Sequence, residues 1–281
     1  MFFSVVCRLL VLETTNMKNN IKLLENIGQC PDCKGELKVS EEVECLSCGN
    51  KFPIKGELPV LVKQSKLKEV LDSWDSDIED YSLYTTPSIV KLCEEKTGFT
   101  LDACCGVGLY TKHFNSNVVS FDIVPKYVKR ALKQNENQNN VFLIADMKNI
   151  PFKRNSFGLV FCSSALEHFT KEEGDEIIPN LINLSNDSVI IDVPNNGNWI
   201  ISFLKNISSG IYEHREESKH EILNHSRLFS VKDLKEYGFE VSGCLGGLTY
   251  LKTSKFTSTI TNFFMSLCPS LAGTIIGVKE K

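Results

Sequence analysis

The stretch Gly98-Phe-Thr-Leu-Asp102-Ala-Cys104-Cys-Gly106-Val-Gly108 decides the fold. A short apolar run closes on an acid, two glycines follow at alternate positions, and Leu109-Tyr-Thr-Lys-His-Phe114 then has helical patterning. A strand ending in a carboxylate, a glycine turn and a helix start make the cradle in which α/β proteins hold a nucleotide-like ligand. Twenty residues beyond Asp102, Val118-Val-Ser-Phe-Asp122 ends in a second acid. A carboxylate at the tip of a second strand can accept both hydroxyls of a ribose, so the paired acids say more than the glycines alone.

Working outward, Val141-Phe-Leu-Ile-Ala145 leads into Asp146-Met147, and Phe157-Gly-Leu-Val-Phe-Cys162 is followed by Leu166-Glu167-His168. From about Pro87 onward short apolar runs alternate with helical stretches, which predicts βα units and a mostly parallel sheet. Gly273-Thr-Ile-Ile-Gly-Val-Lys279 is expected to close that sheet as an antiparallel edge strand.

Upstream, Cys30-Pro-Asp-Cys33 and Cys45-Leu-Ser-Cys48 form two C-x2-C knuckles separated by eleven residues. Two thiolate pairs on a folded-back hairpin can converge on one tetrahedral zinc. With Cys30, Cys33, Cys45 and Cys48 all protein ligands, no position is left for water or substrate, so the expected metal is structural. A module this small cannot bury enough surface to fold alone, and metal binding supplies the difference.

Composition bounds the rest. The chain of 281 residues fits one catalytic domain with a small appendage, and 42% hydrophobic with 23% charged residues is ordinary globular usage. No run reaches the roughly 18 apolar residues of a spanning helix. The net charge is -4, and residues 1–65 carry eight basic and eight acidic side chains, so no positive field points to nucleic acid. Eleven cysteines, four of them in metal spacing, fit a reducing cytoplasm better than a disulfide framework. The apolar start is broken by Arg8 and has no basic stretch before it, so it does not read as a signal peptide. Residues 1–16 are expected to be an extension, with Met17 as the native start.

Two resemblances follow from these motifs. Residues 28–62 look like the zinc ribbon of tRNA-methyltransferase activator proteins and of some methyltransferases, with Phe52-Pro53-Ile54 and the Gly56 to Pro59 turn in the shared places. Residues 98–241 resemble the class I S-adenosylmethionine (SAM)-dependent methyltransferases, in particular the group that includes ubiquinone and menaquinone biosynthesis enzymes. The resemblance implies an α/β, Rossmann-like sheet and SAM as cofactor. It assigns the glycine loop to Asp102, Cys104, Gly106 and Gly108, the ribose acid to Asp122 with Ile123 beside it, and the adenine contacts to Asp146 and Met147. Ser163, at the end of the fourth strand, completes that set. Cys104 stands where the family has a glycine, Gly158 where an Asp usually follows Phe, and Leu184-Ser-Asn-Asp-Ser188 replaces a Lys-Pro-Gly-Gly turn. Cofactor binding at a Cys104 loop is expected to require a negative φ there.

A dehydrogenase is the obvious competitor, but Gly106-Val-Gly108-Leu-Tyr-Thr111 lacks the G-x-G-x-x-G spacing. SAM has no pyrophosphate and carries a sulfonium and an amino acid, for which Asp102 is an asset. Methyl transfer needs positioning more than dedicated catalytic groups. His168 is the candidate base for an acceptor proton. Ser164-x-x-Glu167-His168 lacks one carboxylate of the magnesium-binding pattern seen in some relatives, so no catalytic metal is expected.

The expected organisation is a ribbon over 17–65, a linker and cofactor-covering helix over 66–86, and a methyltransferase domain over 87–281 with a lid at 199–225. Trp74 to Tyr84 is expected either to fold over SAM or to pack as a linker helix. A small-molecule or lipid-like acceptor is favoured. An RNA base methyltransferase docking through its ribbon, and a SAM-binding scaffold without activity, are the alternatives. Oligomeric state is left open.

Overall fold

The computed structural model describes residues 21–75, 85–135, 140–195, 226–227, 229–244 and 266–281. The chain divides into two compact units, Met1–Tyr84 with Cys93–Gly158 and Thr85–Leu92 with Leu159–Lys281. The expected extension 1–16 and lid 199–225 lie outside the described residues.

In the first unit, a short helix α1 (Leu24–Ile27) precedes four strands, β1 (Leu37–Val39), β2 (Glu42–Cys45), β3 (Lys51–Lys55) and β4 (Leu58–Leu61). Each pairs antiparallel with the next, β3 and β4 turning at Gly56, whose φ of 63° suits a residue without Cβ. Helix α2 (Gln64–Asp72) follows; after α3 (Pro87–Glu95), most of which belongs to the second unit, come β5 (Thr100–Ala103), β6 (Val118–Asp122), α4 (Pro125–Gln134) and β7 (Val141–Ala145). Every residue of β5, β6 and β7 is buried, as expected of parallel strands covered on both faces. Their order is β7-β6-β5, all parallel.

β4 does not end the cysteine-rich module. It pairs parallel with β7 through Val60–Ile144 and Leu61–Ala145, so the ribbon's last strand extends the main sheet. Leu58, Val60, Val62, Val70, Val128, Ala131, Phe142 and Ile144 form the core under this joint, drawing on β4, α2, α4 and β7. At about 1.5–3 kcal/mol per fully buried aliphatic side chain, this cluster binds module and sheet together strongly. Trp74 packs against the same core, with the ammonium groups of Lys55 and Lys129 at 4.8 and 5.4 Å from its ring; residues 76–84 of the expected covering segment lie outside the described residues.

In the second unit, β8 (Phe157–Ser163) leads to α5 (Lys171–Leu184), β9 (Ser185–Pro194), α6 (Val231–Glu236), β10 (Glu240–Cys244) and β11 (Thr274–Glu280). Thr170 with Glu173, and Ser230 with Asp233, form capping boxes that start α5 and α6. Helix α5 passes into β9 with no intervening residue, and Ser185 stabilises the junction by accepting from Asp187 N–H and donating to Ser188 O.

β11 is antiparallel, as expected, but it is not an edge strand. It pairs with β9 on one side and β10 on the other, leaving β10 at the edge. The reason is compositional: Thr274-Ile-Ile-Gly277 is wholly buried, whereas Glu240-Val-Ser is more exposed and tolerates an unpaired side. The strand plan is the mixed, mostly parallel Rossmann-like one.

Candidate functional site

Three acids finish three adjacent parallel strands in the first unit. Asp102 lies in β5, Asp122 ends β6 and Asp146 follows β7. All are nearly inaccessible, at 3%, 8% and 4% exposed. Ligands of open α/β sheets bind outside the carboxyl ends of the strands, so this row marks the cofactor side.

Asp102 is fully enclosed, and burial pushes its carboxyl up to about 7; the hydrogen bond from Thr111 opposes this and the charge of Asp122 adds to it. Thr111 Oγ1 donates to Asp102 Oδ2 at 2.6 Å. Asp122 organises the loop: Oδ2 accepts from Gly106 N–H at 3.1 Å and Oδ1 from Val124 N–H at 2.9 Å. Asp146 caps the 3-10 turn Met147–Asn149, with Oδ1 accepting from Lys148 N–H at 2.9 Å, while Oδ2 accepts from Lys66 Nζ at 2.6 Å. Met147 is buried, and Ile123 is partly buried against the core of the joint.

Two features of the loop differ from expectation. Cys104 has φ 56°, not a negative value. The chain must reverse directly after β5 so that Cys105 N–H can reach Phe121 O at 2.9 Å, and the turn falls on residue 104. That left-handed conformation costs a residue with a Cβ about 1–2 kcal/mol. The expected helix over Leu109–Phe114 is only a 3-10 turn at Thr111–His113. Thr111 is drawn inward onto Asp102, and the Asn115-Ser-Asn117 stretch already enters β6, so no room remains for a longer helix.

The glycines divide the work. A Cβ at Gly106, φ 53°, would meet nothing within 4 Å, so its face is open to a ligand. A Cβ at Gly108 would come within 2.9 Å of Ala131 Cβ and 3.1 Å of Asn135 Nδ2, so this glycine lets the loop sit on α4. An open glycine backbone beside buried carboxylates fits a ligand with hydroxyls and positive charge, which is the chemistry of SAM.

In the second unit, Ser163 ends β8 and His168 is exposed in the 3-10 turn Leu166–His168. The structure also pairs Glu167, already visible in the Glu-His motif, with Asp192 of β9. Glu167 and Asp192 are 3% and 2% exposed, and Glu167 Oε2 and Asp192 Oδ1 have no hydrogen-bond partner among the described residues. Burial pushes Glu167 up to about 8, with the charge of Asp192 adding to it. Burial likewise raises Asp192 to about 7, against hydrogen bonds from Ser163 and Ser164. The available signal was an acid inside the apolar run Val189-Ile-Ile-Asp192-Val. Arg227 and Phe229 serve structure: the guanidinium lies 4.3 Å from the Phe229 ring and donates to Asp175 at 3.1 Å. His225 lies outside the described residues.

The cysteine knuckles share one geometry. Lys34 N–H donates to Cys30 O and Gly49 N–H to Cys45 O, both at 2.9 Å, and Lys34 and Gly49 both have positive φ. The four sulfurs lie within 4.8 Å of one another, with Cys30 to Cys48 at 3.8 Å and Cys33 to Cys45 at 3.4 Å. Tetrahedral thiolates about 2.3 Å from a zinc are separated by about 3.8 Å, so the cluster has the right size for a metal ion. Burial raises Cys30 to about 12; burial also acts on Cys45, but N–H groups of Cys48 and Ser47 bring it down to about 7.

Residues 101–181 match the family model of a methyltransferase domain. No curated protein matches the sequence. Similar solved structures include magnesium protoporphyrin IX methyltransferase from Synechocystis with bound SAH, at 18% identity, covering 77% of this chain and 95% of that one with a TM-score of 0.47. A Haemonchus contortus phosphoethanolamine N-methyltransferase, with phosphoethanolamine and S-adenosylhomocysteine, is 18% identical over 39% of this chain and 25% of its own, TM-score 0.36. The small RNA methyltransferase HEN1 is 14% identical over 73% and 27%, TM-score 0.49. The chain thus spans about a quarter of the length of the latter two. Among the described residues no helix is long and apolar enough to cross a membrane. The matched domain begins in β5 and carries Asp102, Asp122 and Asp146, so residues 101–181 form a methyltransferase domain.

Proposed function

We propose that the enzyme methylates a small-molecule or lipid-like acceptor in the cytoplasm, with Cys30, Cys33, Cys45 and Cys48 holding a structural zinc. Asp122 and Ile123 hold the cofactor's ribose, Asp146 and Met147 its adenine, and the Cys104 to Gly108 loop its amino-acid end. Asp102 faces the positive charge, and Ser163 completes the cofactor set. SAM supplies an electrophilic methyl group. His168 takes the acceptor's proton, and enclosure of the acceptor excludes water. The proposed architecture is a ribbon over 17–65, a covering segment over 66–86 and a catalytic domain over 87–281.

The observation that carries the choice of acceptor is the Glu167–Asp192 pair near the carboxyl ends of β8 and β9. Buried carboxyls with open valences suit an amine or hydroxyl and add no positive charge for a phosphate backbone, whose contacts normally dominate nucleic-acid affinity. The balanced charge of residues 1–65 agrees. The test is transfer of labelled methyl from SAM into fractionated lysate with and without nuclease. Label in a nuclease-resistant, extractable fraction is expected; nuclease-sensitive label would move the assignment to RNA.

A further inference from the structure

The N-terminus of α2 is capped from another segment. Its N-cap residue, Lys63, makes no side-chain capping bond. Instead both oxygens of Asp32, inside the first cysteine knuckle, accept from Gln64 N–H at 3.3 and 3.4 Å. Asp32 is itself held by Asn50 Nδ2 at 3.0 Å, from just beyond the second knuckle, and the Gln64 side chain donates to Lys51 O at 2.9 Å. Orphan N–H groups and the helix dipole make a carboxylate the natural partner there. Two positions along α2, Lys66 reaches Asp146 at 2.6 Å, and Val70 anchors the helix in the core of the joint.

The Lys66–Asp146 pair is not an ordinary surface bridge. The Asp146 side chain is only 5% exposed, against 37% for Lys66, so the lysine compensates a buried charge. With Lys148 N–H on Oδ1 and Lys66 on Oδ2, the plane of the carboxylate is fixed from both sides. Knuckle, helix start, lysine and strand-end acid therefore form one continuous run of contacts.

We propose that Lys66 is a positioning residue of the cofactor site, set by Asp32 of the first knuckle, so that metal in the cysteine cluster and SAM at Asp146 favour each other's binding. This rests on the reading of Asp146 as the adenine contact. The metal fixes the turn that carries Asp32; Asp32 fixes the first turn of α2; Lys66 then aims the carboxylate at the adenine amine. Such coupling is reciprocal, so SAM tightens the metal by the same factor as the metal tightens SAM.

The experiment is calorimetric titration of SAM into the zinc-loaded full chain, the chelator-treated chain, and zinc-loaded Lys66→Met, Lys66→Arg and Asp32→Asn. Lys66→Met should bind SAM about tenfold more weakly, within the usual range of coupled sites. Lys66→Arg should recover most of the affinity. Asp32→Asn should keep one zinc and an unchanged circular dichroism spectrum yet lose affinity several-fold. Metal removal should weaken the wild type as much as Lys66→Met, and cost that variant nothing more. For the inosyl analogue of S-adenosylhomocysteine, which lacks the 6-amino group, the Lys66→Met effect should vanish. Wild-type affinity in zinc-loaded Lys66→Met or Asp32→Asn overturns the proposal, and so does a folded metal-free chain with unchanged affinity. Absence of SAM binding in the zinc-loaded wild type would instead defeat the cofactor reading on which it rests.

Discussion

Thr111 Oγ1 donates to Asp102 Oδ2 at 2.6 Å, tying the segment after the glycine loop to the acid near the end of β5. Burial still holds that carboxyl near 7 in the free protein. A sulfonium and an ammonium nearby would favour its charged form. Below pH 7 the free protein then carries a proton that must leave when SAM binds, so affinity should fall as pH drops through 7 and level off above it. Titrations at pH 6 and pH 8 in buffers of different ionisation enthalpy should show proton release approaching one at the lower pH and little at the higher. Affinity that stays flat across that range would separate Asp102 from the cofactor's charge.

Asp122 accepts two backbone N–H groups at the tip of β6, and the proposed reading has it accept the ribose hydroxyls as well. Asp122→Ala should therefore weaken SAM binding by about 1.5–3 kcal/mol, the cost of losing hydrogen bonds to a charged acceptor. Calorimetry with SAM and NADH checks both strength and class. Unchanged SAM affinity, or preference for NADH, would mean the second strand end does not hold this ribose.

The acids at the ends of β5, β6 and β7 were legible because each closes an apolar run, and strand direction then carries all three to one side of the sheet. The cysteine cluster was legible from spacing alone. Lys66 and Asp146 are eighty positions apart, and no local pattern predicts their meeting. The β4–β7 pairing was hidden because Leu58-Pro-Val-Leu61 reads equally well as the end of a hairpin. Cys104 misled because a single non-glycine at a turn reveals its φ only once both flanking strands are placed. Glu167 was visible as part of a motif, but its partner Asp192 lies twenty-five positions on, inside a strand.

The sulfur cluster predicts one zinc per chain, because closed thiolate sites bind tightly and couple to folding. Metal analysis of protein purified without chelators should find it, and finding none would remove the assignment. Cys45→Ser should lose the metal and expose the knuckle amides to hydrogen exchange first. The β4 amides, paired to β7 and set over a shared aliphatic core, should remain protected with the sheet.

Glu167 gives the stability of the second unit a pH dependence of definite sign. Burial lifts its carboxyl from 4.5 to about 8, and Asp192 rises from 3.8 to about 7 by the same cause. Between the ordinary and the raised values the folded chain binds more protons than the unfolded one, so stability must fall as pH rises. The contribution is complete below about pH 4 and is lost by the time the pH passes 8. Each tenfold change in proton affinity corresponds to about 1.4 kcal/mol. Glu167→Gln cannot titrate, so it should melt nearer to the wild type at pH 5 than at pH 9, where it should be the more stable protein. Thermal denaturation of both proteins across that range measures the difference directly. Parallel melting curves would mean that Glu167 is already charged in the native state and paired with a cation, and its open oxygen would then be no acceptor site.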